Sequence, residues 1–313
     1  MDASQLHVVT GAFGYTGKYI TRRLLALGGR VMTLTNHPNR PNEFGDRVSV
    51  APLNFDEPAA LVESLRGATT LYNTYWVRFN YRGATFDQAV ANTQTLFRAA
   101  KEAGVRRVVH VSIANPSQDS PLPYYRGKAL LEKALIESGP SHAILRPTVI
   151  FGDEDVLINN IAWLLRRFPI FAVPGAGDYK IQPIFVEDMA ELAAGLGEGE
   201  RNVSVDAVGP EVYTFDALVR LIAKTLRSRA RIVHLPPGLA LFLSQIVGAL
   251  VGDVVLTREE VDGLMDNLLV SRNPPTGRTR LSEWLAQHAA SVGARYASEV
   301  KRHFRNPSEN PSG

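Results

Sequence analysis

Apolar and polar positions along the first half of the chain fall into blocks that switch between two periods. Short apolar runs of strand length stand at 6–10, 31–35, 48–51, 70–74, 107–112 and 142–146. Between them, at 15–27, 58–65, 85–103 and about 124–138, apolar residues recur every three or four positions, the spacing of a helix with one buried face. In the first of these segments Tyr19, Ile20, Leu24 and Leu27 share that face. Strands alternating with helices predict an α/β fold, with a parallel sheet covered on both sides and ligands held at the carboxyl ends of its strands. Beyond Gly152 the rhythm changes. Helices are expected near 156–167, 187–195, 215–227 and 258–270, with strand-like pieces at 180–185 and 203–208. The pattern divides the chain into a core over 1–152, a smaller lobe over 153–305 with returns to the core, and a mobile tail over 306–313 that has no apolar content to bury.

The junction between the first strand and the first helix reads Thr10-Gly11-Ala12-Phe13-Gly14-Tyr15-Thr16-Gly17, with three glycines spaced three apart. Glycine lets the backbone turn tightly and approach a pyrophosphate, and the helix start offers free N–H groups and a favourable dipole. The same glycines also suit a plain tight turn. Their place at the head of the chain, with a strand before and a helix after, makes Gly11, Phe13, Gly14, Tyr15, Thr16 and Gly17 the expected dinucleotide cradle. At the end of the second strand, where a carboxylate would accept from both ribose hydroxyls of NAD, the chain has Thr35-Asn36-His37-Pro38-Asn39-Arg40. Asn36, His37 and Arg40 are donors toward a 2′-phosphate, which favours NADP and leaves NAD open. The alternative is a Pro-containing turn with Arg40 in water.

Composition narrows the field. The chain has 313 residues, 45% hydrophobic, enough for one large domain with a smaller lobe. Cysteine is absent, which excludes disulfides, thiolate metal sites and a cysteine nucleophile. The seven histidines form no metal-ligand spacing, so no metal is expected. Net charge is +3 and the arginine doublets at 22–23, 106–107 and 166–167 are scattered, as on solvated surfaces. A nucleic-acid binder concentrates such residues in a stripe, so no nucleic-acid partner is expected. No basic segment followed by an apolar one opens the chain, which reads as cytoplasmic.

Taken together, four segments resemble the short-chain dehydrogenase/reductase superfamily in its atypical, extended branch. They are the glycine turn, Tyr124-x-x-x-Lys128, Leu145-Arg146-Pro147-Thr148-x-x-Phe151-Gly152, and 182–190. Tyr75-Trp76-Val77-Arg78-Phe79 and 209–215 are similar to the NmrA-like group and to nucleotide-binding accessory subunits of respiratory complex I. The resemblance implies a Rossmann-type doubly wound parallel sheet with a smaller C-terminal α/β substrate lobe. It further implies that Tyr124 passes a proton to or from a substrate oxygen while Lys128 eases that transfer and holds the cofactor ribose. Asn54, Thr74, Ser112 and Pro147 fall at cofactor-contact positions; Tyr75, Arg78 and Asn115 fall on the substrate side. Asp56, next to Asn54, is read either as an adenine contact or as a helix N-cap. The superfamily's third element, a hydroxyl after the fifth strand, falls at Ala114 here. Asn115 or Ser117 are the substitutes at hand, and the loss of one preorganised donor weighs against ordinary turnover. The acidic run 153–155 caps the next helix or meets substrate.

Three functions follow from that resemblance. They are NADPH-dependent reduction of a small carbonyl-type substrate, an NADPH-holding sensor or accessory protein without turnover, and a sugar-nucleotide epimerase or dehydratase using NAD. A homo-oligomer is left open. The most apolar run, 238–252, is too short for a membrane span. It is either a helix packed on the lobe or an exposed flap that docks on a membrane surface, a lipid-like substrate or another protein.

Overall fold

The computed structural model describes residues 5–81 and 83–303; the tail expected at 306–313 lies outside the described residues. Short runs rich in Val, Ile, Leu and Thr form the strands of the first half. These are β1 (Leu6–Thr10), β2 (Arg30–Thr35), β3 (Val48–Pro52), β4 (Ala68–Asn73), β5 (Arg107–Val111) and β6 (Ser141–Pro147). Four of the five crossovers carry a helix where the 3.6 period predicts one, α1 (Tyr15–Ala26), α2 (Pro58–Leu65), α3 (Phe86–Glu102) and α4 (Pro123–Ser138), while the β2–β3 crossover has only a short 3-10 turn at Gly45–Arg47. Thr85 caps α3 by accepting from Gln88 N, while Pro58 and Pro123 open α2 and α4 at positions that need no N–H.

The second half adds β7 (Ile150–Phe151), α5 (Leu157–Arg167), β8 (Ile170–Pro174), β9 (Lys180–Ile181), β10 (Ile184–Phe185), α6 (Val186–Glu198) and β11 (Val203–Ala207). It continues through β12 (Tyr213–Thr214), α7 (Phe215–Thr225), β13 (Arg231–Leu235), α8 (Pro237–Val251), α9 (Arg258–Met265), α10 (Leu281–Gln287) and α11 (Glu299–His303). The sheet order is β11-β6-β5-β4-β1-β2-β3 with every pair parallel, the doubly wound Rossmann-like arrangement.

The chain splits into two units. The first runs to Pro147 and takes in Val186–Ala207, so α6 and β11 complete its sheet. Its core is built from Val8, Leu34, Leu71, Phe97, Val108 and Ile144 beneath α2, α3 and α4. The second, Thr148–Phe185 with the chain from Val208 onward, has its own core around Phe151, Ile161, Phe171, Leu218 and Trp284.

Several expectations need correction. The piece at 180–185 is two strands because Gln182-Pro183 interrupts it: proline donates nothing, and the Gln182 side chain instead bonds Gly209 O at 2.8 Å. α9 stops at Met265 rather than 270, where Asp266 ends it and Asn267 turns left-handed at φ 55°. The arginine doublets are not all solvated surface. Arg107 is buried and donates to Leu196 O, Ser141 Oγ and Arg201 O, while Arg166 and Arg167 donate to the carbonyls of Val292, Ala289, Gly293 and Ala294. α8 packs on β8, as one of the two readings of 238–252 expects, but among its residues only Ala240 and Gly248 are buried, and its outer side is an exposed apolar face. Among the described residues no helix is long and apolar enough to cross a membrane.

Candidate functional site

The sheet order reverses between β1 and β4, and the chain leaving β1 there is the glycine turn. Gly11 is left-handed at φ 67°, and its N–H is held by Leu34 O at 2.9 Å. Gly14 N bonds Gly11 O at 2.8 Å, closing the turn, and Gly14 then serves as N-cap of α1 with no side chain to occupy the helix start. The glycines differ in what they make room for. A Cβ at Gly17 would come 2.8 Å from the Gly11 carbonyl carbon and closer still to its oxygen, so Gly17 is required by the packing of helix on turn. A Cβ at Gly14 would meet only Gly11 O, at 3.2 Å, so the open side of the turn belongs to Gly14. Phe13 stacks on Phe44, and Tyr15 packs edge-on against Tyr19. Thr16 is half-buried on the first turn of α1.

Across the switch point a polar network fixes the two strand ends. Thr10 Oγ1 donates to Asn73 Oδ1 at 3.1 Å and accepts from the N–H of Thr74 at 2.8 Å and of Tyr75 at 3.1 Å. Thr74 Oγ1 returns a bond to Thr10 O at 2.6 Å, which takes up the hydroxyl proton of a residue expected at the cofactor. Asn73 Nδ2 lies 3.0 Å from His110 Nδ1, and burial holds the His110 pKa well below its ordinary value. At the tip of β2, Thr35 Oγ1 accepts from His37 N, and Arg40 N bonds His37 O. Asn36 is exposed there, and His37 and Arg40 are half-buried. Asn54 Oδ1 accepts from Asp56 N at 3.0 Å, shaping its own loop. The N-cap of α2 is Glu57, without a side-chain bond, so Asp56 does not cap that helix.

Tyr124 and Lys128 lie one turn apart on α4 and meet the same side chain. The Trp76 ring is edge-on to Tyr124 with centroids 5.6 Å apart, and Lys128 Nζ stands 4.4 Å from a Trp76 ring centroid. Gly127 lets the indole in: a Cβ there would come 2.9 Å from the far edge of Trp76. Lys128 is 2% exposed and donates to Val111 O at the end of β5, at 2.8 Å; burial pushes its pKa down to about 7. Tyr125, next to Tyr124 in the chain, is buried. Tyr75 lies against Phe55, and its hydroxyl accepts from Asn92 Nδ2 at 2.9 Å. Arg78 is half-buried with its guanidinium over Phe79, and Phe79 is itself buried.

Ala114 is fully buried with its N–H bonded to Pro147 O at 2.8 Å, which ties Pro147 at the end of β6 to the segment after β5. Ser112 Oγ, two residues earlier, is buried and finds no partner among the described residues. Asn115 is exposed and left-handed at φ 53°, and Ser117 Oγ is used by Asp119 N in the following turn. The third of the acids at 153–155 is structural. Asp155, in the second unit, accepts from Ile158 N, Gly152 N and Asn159 Nδ2, and burial raises its pKa to about 7. Sequence reasoning passed over Trp76 as a partner of Lys128 and the Thr10–Asn73–His110 network. The glycine at 127, between the two candidate side chains, was the local signal for the first. Among the described residues no group of acidic or histidine side chains could hold a metal ion.

Comparisons with known proteins agree with the fold. Residues 11–159 match the family model described as NAD(P)H-binding. The mitochondrial NADH dehydrogenase (ubiquinone) 1 alpha subcomplex subunit 9 of Arabidopsis thaliana is 25% identical, over 85% of this chain and 71% of its own length. The Dictyostelium discoideum protein of the same name is 28% identical over 68% of this chain, which spans 62% of that relative's length. Among solved structures, the NADPH-dependent quinone oxidoreductase QOR2 of Escherichia coli in complex with NADPH has the same fold. Its TM-score is 0.75 at 21% identity, over 90% of this chain and 99% of that one. Residues 11–159 are thus similar to NAD(P)H-binding domains, and the doubly wound fold is shared with a solved NADPH-dependent oxidoreductase.

Proposed function

We propose that this chain is an NADPH-dependent reductase of a small carbonyl-type substrate, working in the cytoplasm. The observation that carries the reading is the meeting of Tyr124 and Lys128 on one indole at the end of β5, in the same unit as the glycine turn. The residues fit a dinucleotide: Gly14 keeps the open side of the turn clear, and Ser112 Oγ is a buried hydroxyl in need of a partner. In this reading the backbone of Gly11, Phe13, Gly14, Tyr15, Thr16 and Gly17 meets the pyrophosphate. Asn36, His37 and Arg40 select the 2′-phosphate, since no carboxylate stands at the tip of β2. Asn54, Thr74, Ser112, Lys128 and Pro147 complete the cofactor side. When bound, the nicotinamide supplies a hydride. Tyr124 gives a proton to the substrate oxygen; Lys128, held by Val111 O and protonated in part near neutral pH, eases that transfer when it carries its charge. Arg78 and Asn115 receive the substrate, with Tyr75 as a wall.

The test is binding of NADPH and NADH to the purified protein, then oxidation of NADPH against ketones, aldehydes, quinones and enones. Tyr124→Phe should lower turnover by about 100-fold or more while NADPH affinity stays within about twofold. Unchanged turnover removes Tyr124 from the chemistry, and failure to bind either dinucleotide overturns the whole reading. A second reading, an NADPH-holding accessory protein without turnover, is favoured by Ala114 at the hydroxyl position. Tight binding with no oxidation across the panel selects it. Cell fractionation checks the compartment, since the two relatives named above are mitochondrial by name.

A further inference from the structure

The second unit contains a helix built inside out. α8 leaves β13 through Pro236 and packs on β8. What it buries is small: Ala240, and Gly248, where a Cβ would come 2.6 Å from Asp253 O. What it shows is large. Leu239, Phe242, Leu243, Ile246 and Leu250 are 38–74% exposed, and their steps of three and four set them in one stripe along the helix. A helix that serves a core turns such residues inward; this one turns them out, and its 15 residues include no Asp, Glu, Lys or Arg.

We propose that the outer face of α8 docks on the surface of a lipid bilayer, lying in the boundary between headgroups and acyl chains. The size of the stripe favours this occupant. Five half-exposed large side chains present roughly 500 Å² of apolar surface, in the range that marks interaction sites. That is short of the ~800 Å² per partner that a stable protein complex buries. An uncharged helix also offers no ion pair to select a protein partner, whereas binding at a bilayer scales with the apolar area buried plus the attraction of neighbouring basic residues to anionic headgroups. Charge around the helix suits headgroups. Arg229 and Arg231 are exposed ahead of it and, among the described residues, neither is in an ion pair; Arg231 stands beside Ile170, itself 55% exposed. Of the acids that follow the helix, Asp253 accepts from Glu299 N and Val300 N, Glu260 caps α9 through Thr257 and Asp262 lies near Arg258, while Glu259 and Asp266 are carboxylates without a side-chain partner among the described residues.

The test is co-sedimentation of the full chain with vesicles of mixed phosphatidylcholine and phosphatidylglycerol. The chain should pellet with the vesicles, and the double variant Phe242→Glu with Leu250→Glu should lose at least about tenfold in partition. Its melting temperature should be unchanged, because both side chains already face solvent. In parallel, Phe242→Trp should shift its emission to the blue when vesicles are added. A chain that stays in the supernatant, or a double variant that pellets equally well, overturns the proposal. So does a concentration-dependent dimer that the same substitutions abolish, which would give the face to a second copy of the chain.

Discussion

Replacing Lys128 with methionine should make the first unit more stable near neutral pH and flatten its pH dependence above it. Burial pushes the Lys128 ammonium down from 10.5 to about 7. Between those values the unfolded chain keeps a proton on this side chain that the folded chain has given up, so stability rises with pH across the window. Below it both states are protonated, and the group adds no further dependence. A shift of one pH unit is worth about 1.4 kcal/mol, so the wild type gains at most about 3 kcal/mol from this group over roughly two units above neutrality. Methionine keeps the apolar stem and removes the charge. The Val111 carbonyl then loses its 2.8 Å donor and the Trp76 face its cation at 4.4 Å. Those losses return about 1–2 kcal/mol, and the net expectation at neutral pH is a gain of about 1–3 kcal/mol. Urea denaturation of both proteins from slightly acid to moderately alkaline pH gives the difference curve directly, free of groups the two share. A variant less stable than the wild type at neutral pH, or a difference that does not change with pH, refutes the reasoning.

The two glycines after Gly11 should separate fold from ligand. Gly17→Ala forces a Cβ onto the Gly11 backbone and should lower thermal stability by about 1–3 kcal/mol. Gly14→Val should melt within about 1 kcal/mol of the wild type while losing NADPH binding, as read by titration; normal binding removes the cradle assignment. In the sheet, the Tyr72 hydroxyl is buried, points at Gly197 and finds no partner among the described residues. Tyr72→Phe should leave stability unchanged or raise it by up to about 1 kcal/mol, and a clear loss in chemical denaturation would reveal an acceptor for that hydroxyl.

The first unit was legible where local pattern and burial coincide. Strands such as β1 and β4 are apolar on both faces because helices cover both, and α1 and α3 carry their buried stripes at regular spacing. The glycine turn was legible because steric demand selects glycine there. What escaped depends on partners remote in sequence. Arg107, Arg166 and Arg167 look like surface residues until the carbonyls they bind are in place. Trp76 reaches Lys128 only through the packing of the loop after β4 on α4. β8 and β13 are five residues each and pair only with one another, so neither carries a sheet-like context in its flanks. Hydropathy marked α8 as apolar but could not say which way it faces.

The return of α6 and β11 to the first sheet also orders events during synthesis. When Pro147 leaves the ribosome, β6 is the edge of an unfinished sheet, and two of the three acceptors of Arg107, Leu196 O and Arg201 O, do not yet exist. An open parallel edge beside an unsatisfied buried guanidinium is a hazard for misassociation. The segment Thr148–Phe185, which belongs to the other unit, must be extruded before the edge can close. A fragment ending at residue 147 should therefore behave as a trapped nascent chain and not as a free nucleotide-binding module. A piece of the first unit that closes its sheet has to extend through Ala207.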